Sequence, residues 1–154
     1  MQALVRLYSR FSAYASYLQS PFLLGVRLYF GWQLMTNGWG KLHNLAGITG
    51  YFTSLNIPFP GANAHFISGL EFVGGILLML GLGTRFIALL IACDMLVAYW
   101  TADHAAFLSF FSDMDKFTNA AEFTTLFAAL IMLVFGPGRF SLDALLAKRL
   151  GGKA

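Results

Sequence analysis

Charged side chains that could do chemistry lie inside the long apolar segments of this chain. Arg27, Glu71, Asp94 and Glu122 each fall within one of four apolar stretches. A charge in hydrocarbon costs roughly 2.5–3.5 kcal/mol near mid-membrane on insertion scales. A chain tolerates that cost when such groups face one another or line a functional cavity. These residues therefore predict a polar site buried between helices.

Three polar side chains are the candidates for binding a ligand there: Lys41, His65 and Glu71. Lys41 lies at the outer end of the first stretch, directly after it, and His65 lies near the start of the second, six residues before Glu71. An ammonium, an imidazole and a carboxylate can hydrogen-bond the ring of a quinone and take up protons when it is reduced. We predict that the three converge around a small ligand, with segment 45–60 as a lid.

Glu71 also has a structural interpretation. An isolated carboxylate at that depth is costly, so Glu71 is expected to pair with Arg27 or with Lys41. Arg27, Gly31, Leu34, Gly38 and Lys41 recur in steps of three or four residues, so they share one helix face. The two glycines on that face allow another helix to approach closely. Both interpretations of Glu71, as a ligand group and as an ion pair holding two helices together, stay open.

Other polar residues form a secondary set of candidates, namely Asp94, Asp103, His104 and Glu122. Three histidines in the chain raise the question of a metal site. No pair of ligands has a strong helical spacing such as His-x-x-x-His or Glu-x-x-His. The sequence therefore predicts no metal site.

Composition indicates a membrane protein. Hydrophobic residues make up 58% of the chain and charged residues 11%, against about 25% charged in an ordinary soluble domain. The apolar stretches cover about 21–40, 63–83, 86–102 and 117–136, close to the ~20 residues that a crossing needs. We predict an all-α, integral membrane four-helix bundle that forms a single domain over residues 1–154.

Shorter helices are expected outside the four spans. Apolar residues repeat every three or four positions in segments 1–20 and 45–55, which predicts an amphipathic N-terminal helix and a short outer interfacial helix. Pro21 suits the first turn of the first span. Ser141 is a good N-cap for an amphipathic C-terminal helix. Segment 103–116 is interpreted as a solvated loop.

The distribution of basic residues predicts the orientation, because cytoplasmic loops are enriched in Lys and Arg. Lys41 and Lys116 fall on one side of the predicted spans. Seven basic residues fall on the other side, which places both termini in the cytoplasm: Arg6, Arg10, Arg85, Arg139, Lys148, Arg149 and Lys153. These residues are scattered and lie at helix ends, so no nucleic-acid partner is expected.

Several short motifs occur in an order that resembles the DoxX family. They are Arg27, Gly-Trp-Gly-Lys at 38–41, Tyr-Phe-x-x-Leu-x-Ile-Pro at 51–58, Glu-x-x-Gly-Gly at 71–75, Leu-Gly-x-x-Thr-Arg at 80–85 and Gly-Pro-Gly-Arg-x-Ser-Leu-Asp at 136–143. The resemblance implies a four-helix protein of the bacterial inner membrane, similar to the small subunit of a thiosulfate:quinone oxidoreductase. By this resemblance, the polar motif positions of the family correspond to Arg27, Lys41, Glu71 and Arg85. We take these four residues as ion-pair candidates.

Two functions remain open at this stage. The first is a quinone-interacting membrane subunit of a redox system, with quinone as the cofactor to consider. The second is a non-catalytic membrane anchor or assembly partner for a soluble redox or peptide-modifying enzyme. Both imply the lipid bilayer and either a protein partner or a second copy of the chain. The sequence does not decide whether the protein is itself an enzyme.

Overall fold

The computed structural model describes residues 1–151, apart from the side chains of Ala3 and Ala13, and every regular element in that part is helical. The all-α prediction is therefore confirmed. The elements, including one turn of 3₁₀ helix at Ser109–Phe111, are α1 (Gln2–His43), α2 (Leu45–Ser54), α3 (Pro60–Leu80), α4 (Thr84–Thr101), α5 (His104–Leu108), α6 (Met114–Thr118), α7 (Ala121–Phe135) and α8 (Leu142–Arg149).

The longest element, α1, differs from the separate N-terminal helix expected for residues 1–20. It is one helix of 42 residues with Pro21 inside it. A proline within a helix removes one backbone hydrogen bond and normally kinks or ends the helix. Here the C-terminal segment supports the turn of helix before the proline: Arg139 donates its backbone N–H to Ser20 and lies over the Tyr17 ring. Tertiary contacts thus allow the helix to continue through Pro21.

Four helices form the packed body of the protein. α1 packs against α3, and α4 packs against α7; further contacts join α3 to α4 and α1 to α7. The short helix α2 lies on α3, where the apolar spacing of segment 45–55 predicts a helix. The core between the helices is apolar, and its most buried members include Leu78, Ala88, Ile91, Tyr99 and Ala129.

Glycines set the distance between α1 and α3. A Cβ atom at Gly38 would lie 2.8 Å from the Ser68 carbonyl oxygen, and one at Gly75 would lie 2.5 Å from the Gly31 carbonyl oxygen. Real Cβ atoms do not approach backbone so closely, so only glycine fits at these two positions. The backbones of the two helices therefore touch, and side chains beside the glycines must meet their neighbours at short range.

Segment 103–116 is not the solvated loop expected from its sequence. Within it, α5, the 3₁₀ turn and the start of α6 form a chain of short helices. Asp113 is the N-cap of α6, since its carboxylate accepts a hydrogen bond of 3.1 Å from the Lys116 backbone N–H. A cap of this kind satisfies a free donor at the helix start, which explains the Asp-x-Asp pattern without a metal.

Membrane-crossing capacity is clearest in the middle of the chain. Among the described residues, α3 and α4 are long and apolar enough, by length and composition alone, to cross a membrane. α7 is apolar but has only 15 residues. α1 is also long enough to cross a membrane, but no part of it of that length is as apolar as α3 and α4.

Candidate functional site

The central feature of the site is a contact between Lys41 and Glu71. The Lys41 Nζ atom lies 2.6 Å from the Glu71 Oε1 atom. It is the one salt bridge among the residues that the structure describes. Glu71 is almost fully buried, with 4% of its side chain exposed, whereas 32% of the Lys41 side chain is exposed. The pair therefore has a buried acidic end and a basic end that solvent or a ligand can reach.

Helix packing explains why these two residues meet. Gly38 of α1 contacts α3 at Ser68 and Phe72. Lys41 lies about one turn after Gly38 on the same face of its helix, and Glu71 lies between Ser68 and Phe72. The close glycine contact thus brings the ammonium and the carboxylate to the same level.

Only half of the Glu71 carboxylate is used in this contact. Its Oε2 atom is buried and has no hydrogen-bond partner among the described residues. A buried acceptor without a partner is costly, and native structures contain few of them. The free oxygen is therefore available to a proton, a water molecule or a polar ligand. On the same two helices, the ring of Trp39, two residues before Lys41, lies 5.4 Å from the ring of Phe72, the residue after Glu71.

His65 does not join the pair. Its side chain is exposed, and the ring Nδ1 atom lies 2.8 Å from the Gly61 carbonyl oxygen of its own helix. No hydrogen bond connects it to Lys41 or Glu71 in residues 1–151. Residues six apart on a helix lie about 120° apart, so His65 and Glu71 point to different faces of α3.

Asp94 is the secondary candidate that the fold brings near the pair. It is half-buried on α4, and it lies within electrostatic range of both Glu71 and Lys41. Its Oδ2 atom is buried and, like the free oxygen of Glu71, has no partner in the described part of the chain.

The remaining secondary candidates lie around Tyr99 and Trp100. Asp103 and Glu122 are within electrostatic range of Tyr99, whose buried hydroxyl donates a 2.8 Å hydrogen bond to the Phe117 carbonyl. His104 is exposed, and its ring packs edge-on to that of Trp100. No ion pair links these residues to Lys41 or Glu71 in the described chain.

Arg27 belongs to a different cluster and is not the partner of Glu71. It is fully buried and donates from Nη2 to the Phe140 carbonyl, with Asp143 within electrostatic range. Its guanidinium lies against Gly81, where a Cβ atom would overlap it. Gly81 also has a φ of +69°, which favours glycine. The segment after α7 therefore covers this arginine and shields it from hydrocarbon.

Asp143 is the residue of this cluster that sequence reasoning missed. Its carboxylate accepts hydrogen bonds from the backbone N–H groups of Gly83 and Thr84, at 2.8 and 3.0 Å. It thus caps the start of α4 from 60 residues away. The signal in the sequence is that α4 begins after a glycine, with no capping side chain of its own. Arg85, the last ion-pair candidate, instead donates to the Val134 carbonyl at 3.4 Å.

Neither a surface groove nor a group of metal-binding side chains is found at the Lys41–Glu71 pair in the described chain. A groove of about 580 Å³ lies along α1 and is lined by Gly25, Leu28, Tyr29, Trp32, Gln33 and Thr36. That surface is on the side of α1 opposite to Gly31 and Gly38, so it faces away from α3. Within residues 1–151, no three His, Cys, Asp or Glu side chains are grouped so that they could hold a metal ion.

Comparisons with known proteins agree with the motifs. The DoxX family model matches residues 22–104. The inner membrane protein YqjF of Escherichia coli (strain K12) is 31% identical over 136 residues, which cover 86% of this chain and 97% of the relative. No solved structure matches the chain. With its membrane-capable helices and buried charges, this chain is an integral membrane protein of the DoxX family.

Proposed function

We propose that this protein is a quinone-interacting membrane subunit of a redox system in the bacterial inner membrane. The observation that carries the proposal is the buried Glu71 carboxylate, which has one oxygen on Lys41 and the other free. The inner-membrane relative supports the location. The DoxX relationship supports the redox role only as an analogy, since a fold does not by itself assign a reaction.

The residues present match part of what a quinone head group requires. Lys41 is partly exposed and can donate a hydrogen bond from Nζ to a quinone carbonyl oxygen. The free oxygen of Glu71 can accept a proton and return it. His65, which the sequence suggested as a third contact, is exposed and bonds the Gly61 carbonyl of its own helix, so the proposal rests on Lys41 and Glu71. Reduction of a quinone takes up two electrons and two protons; a partner redox protein supplies the electrons, and this site passes protons.

A bound quinone should quench the fluorescence of Trp39, whose ring packs against Phe72, the residue after Glu71. We expect a short-tailed quinone, titrated into purified protein in detergent, to quench saturably, and Lys41→Met to weaken the binding about tenfold through loss of a charge-assisted hydrogen bond. The variant Trp39→Phe should lose the saturable part of the signal. Lys116→Met is the matched control, because Lys116 is exposed and forms no ion pair with a described residue.

Non-saturable quenching that is the same in the wild type and in Lys41→Met would overturn the quinone site. Extraction of lipids from the purified protein provides a second readout, since a resident quinone would copurify. If the site binds no quinone but a soluble enzyme copurifies in a fixed ratio, the anchoring function is the correct one.

The second candidate function, a membrane anchor or assembly partner, rests on the exposed surface of α1. Gln33 and Asn37 are exposed and make no side-chain hydrogen bond to a described residue. They lie between Gly31 and Gly38, which contact the middle of α3, so they are at membrane depth. Amides facing lipid are costly, and amides facing another helix can be hydrogen-bonded. This face therefore favours a protein partner or a second copy of the chain.

The proposed topology has four crossings, formed by the second half of α1 and by α3, α4 and α7, with both termini in the cytoplasm. Six of the seven basic residues on the cytoplasmic side lie in the described chain; Lys153 lies outside it. At about 1.5 Å per residue, α7 is roughly 22 Å long, so its crossing needs flanking residues or a locally thinner bilayer.

Reporter fusions test this topology directly. We expect a periplasm-active reporter inserted within 48–62 to be active, and the same reporter fused to the C-terminus to be inactive. A cytoplasm-active reporter should give the opposite pattern. Equal activity at the two positions would contradict the four-span arrangement.

A further inference from the structure

Among the described residues, two buried carboxylate oxygens lack a hydrogen-bond partner, and they belong to residues at a similar level of the molecule, Glu71 and Asp94. A Cβ atom at Gly74 of α3 would contact Ile87 and Ile91 of α4, the nearest at 3.2 Å. The two helices are consecutive and joined by a short turn, so they run antiparallel. Asp94 is about one turn beyond Ile91, and Glu71 is about one turn before Gly74. Both residues therefore lie at a similar level of neighbouring helices and within electrostatic range of each other, with the Oε2 and Oδ2 atoms of their carboxylates buried.

Charge balance makes this arrangement unusual. Lys41 carries one positive charge, whereas Glu71 and Asp94 together would carry two negative charges if both were ionised. No other basic side chain interacts with Asp94 in the described residues. A net charge in a poorly solvated region is strongly unfavourable, and two neighbouring carboxylates that share a site do not both ionise. One added proton makes the three groups neutral.

We propose that Lys41, Glu71 and Asp94 form a partly buried proton-holding site with one resident proton, carried by Asp94. Glu71 lies 2.6 Å from the ammonium and is the ionised partner. Asp94 has no comparable contact, and as a carboxylic acid it can donate its O–H to a neighbouring oxygen. When the O–H proton leaves, the site has one net negative charge, and uptake of another proton restores it. The inference does not require the quinone of the proposed function.

Infrared spectroscopy of the purified protein in lipid tests the proposal. A protonated carboxylic acid has a C=O stretching band that is separate from the amide and carboxylate bands and shifts in heavy water. We expect this band in the wild type at neutral pH and its loss in Asp94→Asn. Glu71→Gln should also remove it, because the remaining carboxylate then ionises and pairs with Lys41.

Lys41→Met gives the opposite expectation and makes the test specific. Without the ammonium, neither carboxylate is balanced, so the band area should about double. Glu122→Gln is the matched control and should leave the band unchanged. Labelling the carboxyl carbon of aspartate alone in the otherwise unchanged protein should shift the band, which assigns the proton even if a variant does not fold.

Three results would overturn the proposal: no protonated band in the wild type, a band that survives Asp94→Asn, or a band that responds to glutamate labelling and not to aspartate labelling. The quinone titration is independent of these outcomes. Loss of quinone binding with an intact band would leave the proton site standing, and the reverse result would remove the proton site alone.

Discussion

Replacing Lys41 by methionine should lower the free energy of unfolding by about 3 kcal/mol, the low end of the range for breaking a buried ion pair. The variant leaves Glu71 buried without its cation, and the carboxylate must take up a proton to remain there. The cost is at the low end because the Lys41 side chain keeps 32% of its surface exposed. Unfolding in mixed detergent micelles, followed by circular dichroism, measures the change.

A double-mutant cycle identifies the partner. We expect Lys41→Met combined with Glu71→Gln to cost less than the sum of the two single changes, by at least about 1 kcal/mol, because residues in direct contact are not additive. The same cycle with Arg27→Met and Glu71→Gln should be close to additive, since Arg27 contacts the Phe140 carbonyl instead. Additive losses for Lys41 and Glu71 would contradict a direct pair.

Replacing Gly38 by alanine should destabilise the protein by about 3 kcal/mol, the upper part of the usual range for overpacking. A Cβ atom there would lie 2.8 Å from both the Phe72 Cα atom and the Ser68 carbonyl oxygen. These are backbone atoms that cannot rotate away, so α1 and α3 must move apart. The movement would also lengthen the contact between Lys41 and Glu71.

The same helix supplies a matched control two residues away. Gly40 has no atom within 4 Å of an added Cβ, so Gly40→Ala should leave stability unchanged or raise it by up to about 1 kcal/mol through helix propensity. Both variants are measured by the same micelle unfolding assay. Equal effects of Gly38→Ala and Gly40→Ala would contradict the close approach of α1 and α3.

Local patterns in the sequence predict most of the helices and their ends. The apolar spacing of segment 45–55 predicts α2, and Ser141 caps α8 as its type and position suggest, with the Ala144 N–H bound at 3.1 Å. Such features depend on neighbours within four residues, so the chain itself determines them. The family motifs add the expectation of a membrane bundle, and the family match confirms the resemblance.

Contacts between distant segments are not visible in these patterns. Pro21 suits a helix start, but contacts made by a segment about 120 residues later carry the helix through it. Asp143 reads as an ordinary first-turn acid of α8, yet it caps α4. These long-range contacts have one cause: a residue satisfies whichever free backbone group the fold brings near it, and sequence spacing does not show which one that is.

The candidate site likewise depends partly on local sequence and partly on contacts between helices. The sequence by itself determined which ionisable groups lie in apolar stretches and which face of α1 carries Arg27, Gly38 and Lys41. It left open which of the two cations meets Glu71, and it gave Asp94 no particular neighbour. Only the tertiary structure selected Lys41 and brought Asp94 to the same level. Helical periodicity specifies the direction in which a side chain points around the axis of its own helix. The register between two helices depends instead on where their backbones touch.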